Sequence, residues 1–141
     1  MNQKIGLEIR FLSKYISRYL QSLNKEQDMI TGPQGLILIY LCHHENVCQR
    51  DIEKFLNIRR STATGLIATL EKNGYLVKES VKSDARLKML IPTSKANDVV
   101  NILEEHVIQL ENRMLNGIDE KEIECFRNTI DKMINNLLEE N

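Results

Sequence analysis

The chain predicts a mainly α-helical fold with one small β-hairpin. Two patterns carry that expectation. Apolar residues recur at helical spacing through most of the sequence, and one stretch, YLVKESVKSDARLKMLIPT, has strand character on both sides of a polar tip. Composition adds a third observation: 141 residues, 42% apolar and 28% charged, describe one domain with a real core and no disorder signature.

Ile5, Ile9, Leu12, Ile16, Tyr19 and Leu23 alternate steps of four and three, a continuous apolar stripe on a long first helix. TGPQG breaks it, with Pro33 suited to the first turn of a second helix. That helix, PQGLILIYLCHH, is apolar on most sides and is expected to be buried. A short third helix follows from Gln49 to about Leu56, with Ile52, Phe55 and Leu56 inward and Arg50, Asp51, Glu53 and Lys54 outward. After a tight connection at Asn57 and Ile58, RRSTATGLIATLEK forms a fourth helix, stopped at Asn73-Gly74. The hairpin comes next. Thr93 or Ser94 caps a long fifth helix, with Asp98 favourably placed in its first turn, and Val99, Ile102, Leu103, Val107, Leu110, Met114 and Leu115 continue the helical spacing. Asn116-Gly117 ends it, and Asp119 caps a last helix bearing Ile123, Phe126, Ile130, Met133, Ile134, Leu137 and Leu138.

Two short helices joined by a tight turn and followed by a small hairpin make a winged helix-turn-helix. The long helices at either end lie outside that unit. Their apolar stripes need more cover than so small a core can supply.

Charge is distributed unevenly. The formal net charge is −1, yet residues 47–95 hold ten basic and five acidic side chains, a balance of +5. Residues 96–141 balance at −7 and residues 1–46 at +1. A basic centre between neutral and acidic ends suggests a localised polyanion-binding face.

The fourth helix makes that face specific. At about 100° per residue, Ala63, Leu66, Ile67 and Leu70 gather on one side. Ser61, Gly65, Ala68 and Lys72 lie opposite, flanked by Thr62, Thr64 and Thr69, with Arg59 and Arg60 leading. So short and hydroxylated a surface can approach a DNA major groove closely, where Ser and Thr bond bases or phosphates and Arg reads guanine. The same hydroxyls also favour any helix N-terminus, so the helix alone does not decide the matter. The hairpin tip does. Lys82, Arg86 and Lys88 surround Asp84, immediately after a hydroxyl-rich helix, in the order a winged DNA reader uses. An arginine on such a tip can enter a narrow minor groove, and Asp84 could hold that guanidinium extended.

From QRDIEKFLNIRRSTATGLIATLEKNGYL through SDARLKMLIPT, the chain resembles the MarR (multiple antibiotic resistance regulator) family of winged-helix transcription factors. STATGLIATLEKNGYL matches the family's recognition helix and the start of its wing, and Asp84-x-Arg86 matches its wing-tip acid and arginine. The resemblance covers essentially the whole chain. It implies one domain over residues 1–141, with residues 33–93 as the DNA-binding core and residues 1–30 and 94–141 as dimerisation helices. It further implies a homodimer on a pseudo-palindromic operator and a small-molecule or oxidant signal that changes the dimer's geometry. Family members often carry a basic residue where Gly65 stands here, so Arg59 and Arg60 are expected to take over part of that contact from the helix start.

The resemblance puts the effector pocket at the junction of the dimerising helices and the winged core, where Tyr15, Arg18, Tyr19, Tyr40 and His43 are candidates to line it. Aromatic residues at helical spacing also serve as plain core. Cys48 stands at the expected N-cap of the third helix, three residues before Asp51, a position that favours a thiolate and suits a redox sensor. It reads more readily as a weak, tolerated cap, the more common case. CHHENVC gathers Cys42, His43, His44 and Cys48 with spacing too irregular to predict a metal site, and no cofactor is expected.

No apolar run is long enough to span a bilayer, and Glu8 and Arg10 stand where a signal peptide needs apolar residues. Three cysteines fit a reducing compartment, so a cytoplasmic location is expected. No nucleophile–base constellation or phosphate loop suggests an enzyme. The alternative reading is a winged-helix protein-interaction module that never touches DNA. The +5 centre argues against it, because an interaction module should present an exposed apolar patch there.

Overall fold

The computed structural model describes residues 4–24, 30 and 32–139. Six helices and one hairpin follow in chain order: α1 (Ile5–Leu23), α2 (Gly32–His43), α3 (Gln49–Leu56), α4 (Arg60–Lys72), β1 (Leu76–Val81), β2 (Asp84–Pro92), α5 (Ser94–Met114) and α6 (Glu120–Leu138). The sequence predicts this order. Thr31, in the expected helix break, lies outside the described residues. The chain divides into two compact units, Met1–Leu110 and Glu111–Asn141.

In the first unit the core forms where α2, α3, α4, the hairpin and the start of α5 bring their apolar faces together. Ile37, Leu38, Ile52, Ile67, Leu70 and Leu76 are essentially inaccessible, and Ala63, Leu90, Ala96, Val99 and Val100 join them. Fully burying each large side chain contributes roughly 1.5–3 kcal/mol. Helix α2 buries Gln34, Gly35, Ile37, Leu38 and Leu41, the most of any helix, as its apolar sequence predicts, while Leu36 on the other side stays exposed. Gly35 is small for a reason: a Cβ there would meet Leu103 Cδ1 of α5 at 3.3 Å.

The connections are bonded as well as packed. Asn57 adopts a left-handed conformation (φ 51°) that ends α3, and its N–H and that of Ile58 close on carbonyls of α3. Gly74 (φ 81°) turns the chain from α4 into β1. Thr93 then ties the wing's exit back to that turn: its hydroxyl donates to Gly74 O at 2.7 Å and its N–H to Tyr75 O at 3.1 Å. Lys95 donates to Asn73 O and lies over the Tyr75 ring. The end of α4, the wing and the start of α5 are therefore one braced joint. Thr93 is the α5 cap, accepting from Ala96 N, whereas Asp98 falls beyond the first turn, which holds no acidic residue. Asp119 caps α6 as expected, through Lys121 N.

Three local features differ from expectation. Phe55 is 48% exposed rather than inward, its ring resting on Tyr40 at 4.6 Å between centroids, because the eight-residue α3 turns only Ile52 fully into the core. Strand β2 begins inside the predicted tip, at Asp84. An isolated bridge, too short to show in the sequence, borders the hairpin: Cys48 bridges Met89, and Leu90 N donates to Val47 O at 2.8 Å.

The terminal helices differ from the core. Helix α1 has no buried residue, and Ile5, Ile9 and Leu12 of its stripe remain exposed. In the second unit α6 likewise buries nothing, with Phe126, Ile134, Leu137 and Leu138 open. Cys125, which α6 could have buried, is exposed.

Candidate nucleic-acid interface

Helix α4 buries Ala63, Ile67 and Leu70 and half-buries Leu66, the face the helical wheel predicts. That burial turns Ser61, Thr62, Thr64, Gly65, Ala68, Thr69 and Lys72 outward, together with Arg59 and Arg60. Arg59 is the N-cap residue, and its side chain makes no cap hydrogen bond, because a guanidinium has no acceptor to offer the helix N–H groups. A Cβ at Gly65 would meet nothing within 4 Å, so the helix surface there is bare backbone.

The hydroxyls are not equally available. Thr64 Oγ1 donates to Arg60 O at 2.8 Å and accepts from Gln49 Nε2 at 2.9 Å, and the same Gln49 amide reaches Arg60 O at 3.3 Å. Thr69 Oγ1 donates to Gly65 O. Both threonines thus satisfy their protons on the helix backbone. Gln49, the first residue of α3, is a functional neighbour of α4 that helix periodicity could not reveal, since it stands 15 residues from Thr64.

In the wing, the register runs regularly from Leu76↔Pro92 to Ser80↔Lys88 and then slips to Val81↔Asp84. The slip leaves Ala85, Arg86 and Leu87 without ladder partners, a bulge at the tip of the wing. Asp84 Oδ1 accepts from the Arg86 backbone N–H at 2.9 Å. This corrects the expected contact: the aspartate shapes the turn and does not grip the guanidinium. Lys82 and Arg86 are exposed. Lys88 donates to Ser80 Oγ at 2.8 Å and is less free than the sequence suggests, and Lys78 pairs with Glu71 at 3.8 Å. Val77 and Ile91, opposite one another in the ladder, are both exposed. The structure thus gathers Arg59, Arg60, Ser61 and Thr62 at the α4 N-terminus and sets Arg86 on the bulge. Among the described residues, none of those three guanidinium groups has a hydrogen-bond or ion-pair partner.

Four of the expected pocket residues, Tyr15, Arg18, Tyr40 and His43, are engaged in separate contacts. Tyr15 and Arg18 form an exposed cation–π pair at 5.6 Å. Tyr40 stacks on His44 at 4.0 Å, and His43 pairs with Glu104 of α5. A cavity of about 420 Å³ instead lies between α1, α2 and α5, lined by Leu20, Ile30, Leu36, Ile39, Leu103 and Val107 with Ser17, Gln21, Asn24 and His106 as polar members. None of Tyr15, Arg18, Tyr19, Tyr40 and His43 lines it. Asn24 Oδ1 is buried, with no hydrogen-bond partner among the described residues. The wheel identifies which side of each helix is apolar but not where two apolar sides fail to meet.

Cys48 is the N-cap of α3, as predicted. Its N–H donates to Asp51 Oδ2 at 2.9 Å and its thiol to the same oxygen at 3.3 Å, so the sulfur is engaged by a carboxylate rather than left open at the helix end. Cys42 donates to Asn97 Oδ1, and its thiol is pushed above the ordinary value by burial and then by the charge of Glu104. Cys42, His43, His44 and Cys48 thus face separate partners.

A helix-turn-helix with a hairpin wing, its second helix bare and cation-led, defines a winged-helix transcription regulator. The MarR family model matches residues 30–87, the span from α2 into the wing. The uncharacterized HTH-type transcriptional regulator YybA of Bacillus subtilis is 25% identical over 126 residues, covering 86% of this chain and 83% of that protein. Among solved structures, the heme sensor protein PefR from Streptococcus agalactiae, in complex with heme, is 30% identical, with 95% of this chain and 91% of that one covered and a TM-score of 0.67. The S. aureus MepR–DNA complex is 25% identical, with 96% and 99% covered and a TM-score of 0.88. The chain belongs to the MarR family.

Proposed function

We propose that this DNA-binding transcriptional regulator acts as a homodimer that seats paired α4 helices in successive major grooves of a pseudo-palindromic operator. The observation that carries the reading is a cationic set on a bare surface, without partners among the described residues. Arg59 and Arg60 begin an outer face of Ser, Thr, Gly and Ala, and Arg86 stands out on the wing bulge. Two copies related by a twofold axis would place the α4 helices roughly 34–36 Å apart, one turn of B-DNA, with each wing reaching a flanking minor groove. Lys72 and Lys82 add phosphate contacts.

The second copy has surface to cover. The exposed stripe of α1 and that of α6 fit burial against a partner, since water otherwise meets a row of large apolar side chains on each. Residues 1–30 and 94–141 are then dimerisation helices around the core of residues 33–93. The cavity supports control by a small molecule: it lies where α1 and α5 meet α2, so an occupant would bias the position of the reading heads. PefR, solved with heme, is a relative that takes a ligand. Release from DNA on ligand binding would make the protein a repressor, working in the cytoplasm.

The test is selection of duplexes from a randomised pool by the purified protein, followed by titration of the selected duplex over a salt series. The expected result is a palindromic consensus and an affinity falling with a log–log slope of about −0.9 per phosphate neutralised. No selected sequence, or affinity indifferent to salt, would overturn the reading in favour of a protein-interaction module.

A further inference from the structure

On a hydroxyl-rich recognition helix, free Ser and Thr hydroxyls can bond base edges. Here the hydrogen-bond network takes up the protons of two of them, Thr64 and Thr69. Thr64 is exposed, yet its Oγ1 spends its only proton on Arg60 O and is capped from the other side by the Gln49 amide. A threonine so held offers the outside its other γ substituent, a methyl group. We propose that Thr64 is a specificity-determining residue that contacts the 5-methyl group of a thymine, and that Gln49 is the positioning residue that keeps it in that pose. The inference rests on the DNA-binding reading above and deepens it.

Three features support it. Gln49 grips both the first carbonyl of α4 and the Thr64 hydroxyl, so one side chain sets the helix start and the rotamer together. Gly65 beside Thr64 has nothing within 4 Å of a Cβ position, which leaves room for a base edge to approach. Apolar contact is the one way to recognise the thymine methyl, the major-groove feature that separates thymine from cytosine without a hydrogen bond. The polar readers are consequently concentrated at the helix start, in Arg59, Arg60, Ser61 and Thr62, with a methyl reader one turn further along.

The test uses the full-length protein and the duplex it selects, with each thymine replaced singly by uracil, which deletes only the methyl. Wild-type protein should lose about fourfold in affinity per symmetric contact at one thymine position, the value of one buried carbon. Thr64→Ser, which keeps the hydroxyl and its bonds, should bind the thymine duplex that much more weakly and show no further loss with uracil. Thr64→Val, which keeps the methyl and loses the hydroxyl, should still prefer thymine. Uracil scanning with no sensitive position, or a Thr64→Ser protein that keeps the full thymine preference, overturns the inference while leaving DNA binding intact. A protein that selects no duplex overturns the DNA-binding reading and this inference with it.

Discussion

Arg86→Ala separates binding from folding cleanly, because the structure assigns its side chain no internal duty. The residue sits in the wing bulge, where Asp84 holds its backbone N–H and nothing among the described residues holds its guanidinium. Truncation to Ala keeps the N–H and therefore the turn. Stability should stay within about 0.5 kcal/mol of wild type, as for other surface changes that break no named contact. Affinity should not. A symmetric complex loses two arginines, each worth about 1–3 kcal/mol, so operator binding should weaken at least about thirty-fold. The salt slope should become shallower by about 2, one counterion contact per protomer. Fluorescence anisotropy over a salt series reads both quantities, and thermal melting reads the control. Asp84→Ala provides the contrast: it frees the Arg86 N–H and should cost both stability and affinity. If Arg86→Ala leaves affinity and slope unchanged, the wing does not touch DNA.

Three further outcomes follow from particular residues. Gly65→Ala should raise stability by about 1 kcal/mol in chemical denaturation, since a Cβ there meets nothing and glycine costs about that much within a helix; a loss would mean the helix face is not open. Leu12→Glu, placed where α1 leaves a leucine 40% exposed, should shift the proposed dimer to monomer in sedimentation, and an unaltered dimer would move the interface elsewhere. Cys42 should alkylate slowly at neutral pH, because burial and Glu104 favour its protonated form; Glu104→Gln should speed the reaction. The folded state then holds the proton more tightly than the unfolded chain, so this contribution is complete below the ordinary thiol value near 9.0 and is lost as pH rises beyond it. An alkylation rate indifferent to Glu104→Gln would remove the carboxylate from the account.

How far the sequence reached is clearest in α4. Its core face of Ala63, Leu66, Ile67 and Leu70 and its outward arginines follow from a 3.6-residue period, because in an amphipathic helix burial and exposure are both written locally. The same holds for the element order, for Asn57 and Gly74 as breaks, and for the Thr93 and Asp119 caps, each decided within a few residues. What the sequence could not decide depends on groups far apart in the chain. The Gln49 grip on Thr64, the bridge from Cys48 to Met89, and the slip that leaves Arg86 without a ladder partner while aiming Asp84 at a backbone N–H all require a particular packing of neighbours. The cavity between α1, α2 and α5 is the plainest case: a void is a mismatch of three surfaces, and no single helix records it.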